Sequence, residues 1–349
     1  MNLNSFQQFK SIDHGDMLGA IQKLPDQLKE AFFLGRDFPL PENKKFDRIV
    51  IAGMGGSAIG ADLLVAYAFP DLRIPTFILR DYQLPGWANE KKCLVICSSH
   101  SGNTEETNSV LSQAIDRNCT IVVITTGGKL FSTAAGNDIV AWKFEHAGQP
   151  RAAVGFSFGL LLCLFTRLSL IPEQDEAIKT AVLAMNEFSK EISADVLVVN
   201  NPAKRIAGQL VDQHVSVFGA EHLSAVSRRW KTQINELAKC WAQYEFIPEA
   251  DHNTLAGVLQ PSKMLSKIFT VFLKSKHYHP RNKKRMDLTL TEFMVAGLNT
   301  DQIDFSAEEK MAEMWKAIIF GDYVSYYLAM IYEIDPTPVE AIESLKKQM

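Results

Sequence analysis

Short, unbroken apolar runs that alternate with helix-forming segments constrain the fold of this chain more than any other feature. Clear examples are Arg48–Ala52, Cys93–Cys97 and Thr120–Thr125, each followed by small or hydroxyl-bearing residues and then by a helix pattern. Runs of this kind are typical of strands whose two faces are both buried in a parallel sheet. Because crossovers between parallel strands are right-handed, the pattern predicts an α/β fold with a mainly parallel, doubly wound sheet.

The same arrangement returns in the second half of the chain. Apolar runs at Val215–Phe218 and Ile268–Leu273 precede helix patterns, and the order of strand, glycine and helix around Gly219 resembles the order around Gly53. A chain of 349 residues suits two domains of about 150 residues each. We therefore predict two three-layer αβα domains, residues 1–185 and residues 186–349.

Composition excludes several classes of protein. A formal net charge of −4 argues against a protein that binds nucleic acid through a basic face. The longest apolar stretch, Ala152–Phe165, is too short to cross a bilayer and is interpreted as a buried helix. The first ten residues lack the pattern of a secretory signal, and the five cysteines lack zinc-site spacing. We expect a cytoplasmic protein with reduced thiols, no metal and no membrane partner.

A glycine-rich turn follows the first of these strands, at Gly53–Ala58. Glycines at a strand end expose backbone N–H groups, and the helix that follows presents its positive end to an anion. The segment also fits the dinucleotide fingerprint G-x-G-x-x-A, with an acidic residue, Asp81, after the second strand. Two alternatives to a phosphate site therefore stay open: a nicotinamide cofactor, and glycines that only allow close packing of helix and strand.

A cluster of hydroxyl groups follows a second strand, in the segment Ser98–Glu106. Its serines and threonine, together with the N–H groups at a helix start, form a set of neutral donors that suits a phosphate monoester. A pyrophosphate bridge would not need this second loop. Helix capping by Asn103 and Glu106 is the alternative, but it accounts for only part of the cluster.

Two titratable residues in the second half are candidates for acid–base chemistry. Glu236 lies between Ile234 and Leu237 late in a long predicted helix, and His252 lies in the loop beyond it. A partly buried carboxylate can transfer a proton, and histidine titrates near neutral pH. Taken alone, the sequence favours a structural or solvent-exposed role for each residue, because a lone glutamate on a helix is usually solvated.

Five segments together identify a resemblance to a known family. They are Gly53–Gly60 (GMGGSAIG), Ser99–Thr107 (SHSGNTEET), Gln149–Ala153 (QPRAA), Ile234–Glu236 (INE) and Pro248–Asn253 (PEADHN). In this order, and with a lysine-bearing C-terminal tail, the chain resembles the bifunctional phosphoglucose/phosphomannose isomerases, which are built from two sugar isomerase (SIS) domains. The resemblance covers essentially the whole chain.

The resemblance implies a role for each matching residue. The sugar phosphate is expected to bind the two N-terminal loops, through Gly55, Gly56, Ser57, Ser99, Ser101 and Thr104. Glu236 is expected to move the proton between C1 and C2, and Arg151 to stabilise the enediolate. Ring opening is assigned to His252, supplied by the partner in a homodimer, and to a tail lysine, for which Lys346 is preferred over Lys347. No cofactor is implied.

The resemblance predicts an isomerase that interconverts glucose 6-phosphate and fructose 6-phosphate through a cis-enediol, with mannose 6-phosphate as a further candidate substrate. A non-catalytic protein that senses sugar phosphates is the second hypothesis, because SIS domains also serve as binding modules. A dinucleotide-dependent oxidoreductase is the third. One residue departs from the family pattern: His100 stands where an aromatic residue such as tyrosine is common, and we interpret it as packing beneath the sugar.

Overall fold

The computed structural model describes residues 2–349 and contains two compact units. The first unit comprises Leu24–Lys179. The second comprises Thr180–Met349 together with the residues up to Lys23. Within the described residues, no helix has the length and apolar character needed to cross a membrane.

The strands, in chain order, are β1 (Arg48–Ala52), β2 (Thr76–Leu79), β3 (Cys93–Ser99), β4 (Thr120–Thr125), β5 (Val140–Lys143), β6 (His214–Ala220), β7 (Ala242–Ile247), β8 (Ile268–Lys274) and β9 (Asn299–Asp304). The helices are α1 (Met17–Gln22), α2 (Leu24–Leu34), α3 (Gly55–Ala68), α4 (Glu105–Asp116), α5 (Gly128–Ala135), α6 (Val154–Arg167), α7 (Asp175–Ile192), α8 (Pro202–Gln209), α9 (Ser224–Leu237), α10 (Ser262–Leu265), α11 (Pro280–Val295), α12 (Lys310–Ile331) and α13 (Glu340–Gln348).

Each unit is built on one parallel sheet. The first sheet has the strand order β2-β1-β3-β4-β5, and the second has the order β7-β6-β8-β9. Every neighbouring pair in both sheets is parallel. The predicted α/β class, with two doubly wound parallel sheets, is therefore confirmed.

Buried helices cover these sheets. In the first unit α6 packs against α2 and α3, and its residues from Val154 to Thr166 are buried, as expected for an apolar stretch that forms a core helix. In the second unit α12 packs against α8 and α9. The indole Nε1 of Trp230 on α9 donates a hydrogen bond of 2.8 Å to the Ala317 carbonyl on α12, so a polar contact as well as apolar packing joins these two helices.

The division of the chain differs from the predicted one at its beginning. The sequence-based division counts the first 23 residues with the first half, and its boundary at residues 185 and 186 falls inside α7. In the structure these residues pack with the second unit. The reason is a set of polar contacts: Asn4 Oδ1 accepts a hydrogen bond from the Val198 N–H, and the Leu3 carbonyl accepts one from the Lys204 ammonium.

Lys204 is the centre of this attachment. Its side chain is buried, and Nζ donates to the carbonyls of Leu3, Ala194 and Val196 at 2.8, 2.7 and 2.8 Å. Burial lowers the pKa of Lys204 from 10.5 to about 8, and the nearby Asp195 carboxylate only partly opposes this effect. The protonation state of this amine is therefore expected to contribute to the free energy of unfolding.

The lowered pKa of Lys204 predicts a pH dependence of stability. Between pH 8 and 10.5 the unfolded chain holds a proton at this amine that the folded chain has lost, so the free energy of unfolding should rise with pH in that window. The slope for one proton is at most about 1.4 kcal/mol per pH unit. Urea unfolding of the wild type and of Lys204→Met at several pH values isolates the effect from other titrating groups. A difference between the two proteins that is constant from pH 8 to 10.5 would contradict this prediction.

Candidate active site

Three loops meet at the carboxyl end of the first sheet. They follow β1, β3 and β4, and β1 lies beside β3 at the point where the strand order reverses. This crevice is the place where open parallel sheets usually bind ligands. The predicted phosphate-binding residues lie in the first two loops, so the topology brings together segments more than 40 residues apart in sequence, as Ser57 and Ser99 illustrate.

Hydrogen bonds join the hydroxyl groups of these loops into one network. Ser57 Oγ accepts from the His100 N–H at 3.1 Å, which connects the first loop to the second. Ser99 Oγ shares a hydrogen bond of 2.9 Å with Thr104 Oγ1 and accepts from the Gly102 N–H at 3.2 Å. The network fixes the hydroxyls of Ser57, Ser99 and Thr104 beside two helix N-termini, an arrangement suited to a phosphate group.

Ser101 and the two glycines of the first loop lie at the same edge. Ser101 is exposed, and its Oγ accepts from the Asn103 N–H within its own loop. Gly55 and Gly56 begin α3, whose first N–H groups have no partner within the helix. Gly55 adopts a φ of +48° in open space, so the backbone there is accessible to an anion.

The alternative that this segment only caps a helix receives no support from the geometry. Thr104 is the N-cap residue of α4, yet its side chain makes no capping hydrogen bond. Asn103 Oδ1 instead accepts from the Lys129 N–H at 3.0 Å, in the third loop. Asn103 therefore links the second loop to the third, and the side chain of Thr104 does not cap the helix that follows.

The third loop was not singled out from the sequence, although two threonines and two glycines follow one another at the end of β4. Gly102 has a φ of +67°, and a Cβ atom there would lie 1.8 Å from the Gly127 carbonyl oxygen. Thr126 also binds the second loop, since its Oγ1 donates to the His100 carbonyl at 2.7 Å. The backbones of the second and third loops thus touch, which only glycine permits at position 102.

Replacing Gly102 with alanine should therefore disrupt the contact between the second and third loops. The side chain would collide with fixed backbone and would favour a different φ, so we expect phosphosugar affinity to fall by about tenfold or more, equivalent to about 1.4 kcal/mol. Calorimetric titration with a sugar phosphate measures the change. Gly208→Ala on α8 is the matched control, because its Cβ would meet nothing within 4 Å. Unchanged affinity in Gly102→Ala would refute the assignment of this loop.

Arg151 lies beside the first loop. It belongs to a short turn, Pro150–Ala152, and is 3% exposed. The turn contacts the start of α3 closely, because a Cβ atom on Gly56 would lie 2.6 Å from the Pro150 carbonyl oxygen. Gln27 holds the far side of the turn by donating to the Ala152 carbonyl at 2.9 Å. The backbone of this turn is thus held beside the loop that follows β1, with the Arg151 side chain buried.

His100 belongs to an aromatic cluster beside the loops. Its Nε2 hydrogen-bonds His146 Nδ1 at 2.9 Å, and its ring lies edge-on to Phe144. Burial and the neighbouring His146 imidazole lower the pKa of His100 to about 4, and burial also lowers the pKa of His146. Both rings are therefore neutral near pH 7. His146 has no distinguishing pattern in the sequence, and only the fold brings it to His100.

The other predicted catalytic residues lie in the second unit. Glu236 is half-buried near the end of α9, where its own carbonyl accepts a hydrogen bond from the Lys239 ammonium. His252 is exposed at the end of a short turn, Glu249–His252, that follows β7. Lys346 and Lys347 both lie in the last turn of α13 and are exposed. Position alone does not favour either lysine.

A buried carboxylate lies at the carboxyl end of the second sheet. Glu313 on α12 is completely buried, and its Oε2 lies 3.1 Å from His222 Nε2 and accepts a hydrogen bond from Ser275 Oγ. Its Oε1 accepts from the Ala307 N–H at 3.2 Å. Burial alone would raise the pKa of Glu313, but these hydrogen bonds outweigh it and lower the pKa. His222 and Ser275 follow β6 and β8, the central strands of this sheet.

Comparison with known proteins identifies the family. A sequence model of the bacterial phosphoglucose isomerase C-terminal SIS domain matches residues 199–349. A bifunctional phosphoglucose/phosphomannose isomerase from Caldicellulosiruptor bescii is 37% identical over 339 residues, covering 95% of this chain and 98% of the relative. A protein of the same name from Thermoplasma volcanium is 32% identical over 307 residues, covering 87% of this chain and 92% of the relative.

A solved structure supports the fold independently. A hypothetical protein from Thermus thermophilus aligns with a TM-score of 0.75 over 98% of this chain and 92% of that chain, at 18% identity. Similarity at this level of identity concerns the architecture alone. The sequence relatives confirm the resemblance drawn from the motifs, and the chain belongs to the family of bifunctional phosphoglucose/phosphomannose isomerases.

Proposed function

We propose that this protein interconverts glucose 6-phosphate and fructose 6-phosphate, and also accepts mannose 6-phosphate, through a cis-enediol intermediate. The observation that carries the proposal is 37% identity to a phosphoglucose/phosphomannose isomerase over 95% of the chain. The hydroxyl network of the first unit supports a phosphate-bearing substrate. A non-catalytic sugar-phosphate sensor and a dinucleotide-dependent oxidoreductase are the competing hypotheses, and no observation in the described residues favours either.

In the proposed mechanism the phosphate binds Ser57, Ser99, Ser101 and Thr104 and the N–H groups of Gly55 and Gly56. Glu236 then removes a proton from one of the carbons C1 and C2 and returns it to the other, since both positions lie on one face of a cis-enediol. A negative oxygen develops during this transfer. Arg151 is proposed to stabilise it, because a guanidinium stays charged at every relevant pH and anchored cations act strongly on developing charge.

Ring opening requires a separate acid–base pair, because the hemiacetal oxygens lie away from the C1–C2 edge. We assign this step to His252 and Lys346. Imidazole is suited to the role because it titrates near neutral pH. The exposure of His252 is consistent with a residue that serves the active site of a partner subunit.

The proposal includes a homodimer that shares residues. Large apolar side chains are exposed on both sides of the His252 turn along the chain: Trp241 is 69% exposed, Phe246 44% and Leu259 72%. Exposed apolar groups of this size commonly mark protein interfaces. Mixing Glu236→Gln and His252→Ala variants, each with strongly reduced activity, should raise activity above that of either variant alone if subunits exchange, whereas independent active sites would give no gain. A cytoplasmic location, suggested by five free cysteines, stays a prediction.

Proton exchange distinguishes the three hypotheses. Fructose 6-phosphate incubated with the protein in heavy water should yield glucose 6-phosphate that carries deuterium at C2, because the transferred proton exchanges with solvent at the base. A sensor would show a ligand-dependent rise in melting temperature without any product. An oxidoreductase would show a melting shift with nicotinamide dinucleotides. Turnover with glucose, mannose and other phosphorylated aldoses then defines the substrate preference.

A further inference from the structure

The turn that carries His252 is bound to helix α11 through its neighbour Asp251. Asp251 Oδ2 accepts a hydrogen bond of 2.9 Å from the Arg285 guanidinium, and Oδ1 accepts one of 2.8 Å from Thr289 Oγ1. The Asp251 side chain is 7% exposed, whereas His252 is exposed. Adjacent residues therefore have opposite environments: one faces the protein and the other faces solvent.

Helix α11 is a firm support for this contact. Arg285 and Thr289 are four residues apart, so they lie one above the other on the same helix face. The helix is packed on the sheet through Phe293, whose ring is 5.4 Å from that of Phe218 on β6 and 5.9 Å from that of Phe272 on β8. The donors that hold Asp251 are thus fixed to the core of the second unit.

The residues after His252 are tied down as well. Thr254 Oγ1 donates to Glu245 Oε1 on β7 at 3.1 Å, and Asn253 Nδ2 donates to Glu249 Oε1 at 2.8 Å. The hydrogen bonds of Asp251 connect the turn to α11. The bond of Asn253 lies within the turn, and the bond of Thr254 connects the turn to the edge strand β7. The backbone at His252 is consequently held from two sides, although packing does not restrain the imidazole itself.

We infer that Asp251, held by Arg285 and Thr289, is a positioning residue that sets the location of the His252 imidazole for ring opening. The inference rests on the proposed function and adds residues that the family motifs do not explain. An acid–base group must come within hydrogen-bond reach of its target, and a displacement of about 1 Å can cost a hundredfold in rate. Because His252 is exposed, its placement depends on the backbone, and Asp251 is the adjacent backbone anchor.

A double-mutant cycle tests this assignment. We expect Asp251→Ala to lower kcat for fructose 6-phosphate by about tenfold or more, with KM within about twofold of the wild type. In a His252→Ala background the same substitution should cause no further loss, because no imidazole is left to position. Asp251→Asn keeps an acceptor for Thr289 and should retain intermediate activity. Lys284→Met, an exposed residue beside Arg285, is the matched control and should leave both constants unchanged.

Each result has a definite meaning. An equal loss of kcat from Asp251→Ala in both backgrounds would overturn the inference, since it would indicate a general effect on the fold. A change confined to KM would overturn it too. If Asp251→Ala does not fold, Thr289→Val removes one of the two bonds and enters the same cycle. A wild-type protein without isomerase activity would instead refute the proposed function, and a His252→Ala protein with the kcat of the wild type would refute the role of His252.

Discussion

Replacing Glu236 with glutamine should lower kcat for the interconversion of fructose 6-phosphate and glucose 6-phosphate by about a hundredfold or more. Glutamine has nearly the same shape and preserves the half-buried packing at the end of α9, but its amide cannot accept and return a proton. The substrate should still bind, so KM should change little. Turnover and the rate at which C2-deuterated product accumulates in heavy water are the measurements, and both should fall together.

Glu292→Gln serves as the control for this substitution. Glu292 is an exposed glutamate on α11, so the same chemical change there should leave activity and stability unaltered. If Glu236→Gln turns over substrate as fast as the wild type, Glu236 is not the base. A raised KM with unchanged kcat would indicate that Glu236 only contributes to substrate binding.

Removing the Asp322 carboxylate should strongly lower the free energy of unfolding. Arg229 on α9 and Asp322 on α12 form a two-bond ion pair, with Nε 3.2 Å from Oδ1 and one terminal nitrogen 2.8 Å from Oδ2. Both side chains are buried. Asp322→Ala would leave a buried guanidinium without its partner, which typically costs about 3–5 kcal/mol. Urea unfolding followed by circular dichroism measures the change.

A paired substitution separates the loss of a partner from the loss of packing. Arg229→Met combined with Asp322→Leu removes both charges and keeps apolar volume between the helices, so most of the stability should return. If the double variant is as unstable as Asp322→Ala, packing rather than charge explains the loss. Helix α9 also carries Glu236, the proposed base, near its end.

The sequence predicted the central strands of both sheets but missed the two edge strands of the second sheet. β1, β3, β4, β6 and β8 all lie within their sheets, so both faces of each strand are buried and each appears as an apolar run. The strands β7 (Ala242–Ile247) and β9 (Asn299–Asp304) lie at the edges of the second sheet and were not predicted. β9 consists almost entirely of polar residues, so its pairing with β8 cannot be inferred from apolar periodicity.

The residues of the candidate site also differ in whether the sequence alone could identify them. Ser57, Ser99 and Thr104 could be proposed because they stand at strand ends in short, dense motifs. His146 and Arg285 could not be, because their contacts with His100 and Asp251 depend on chain segments 46 and 34 residues away. In the sequence Arg285 belongs to a basic run typical of a solvated helix start, whereas the structure gives it a carboxylate partner. Long-range pairing of this kind requires the fold.

The buried carboxylate of Glu313 has a consequence for how the two halves have diverged. In the first half, hydroxyl groups lie at the carboxyl ends of the central strands. In the second half, a carboxylate from α12 lies at the corresponding place. The two halves therefore differ in the polar groups that they place at the carboxyl ends of their central strands. A fold that occurs twice in one polypeptide can in this way present hydroxyl groups in one copy and a buried carboxylate in the other.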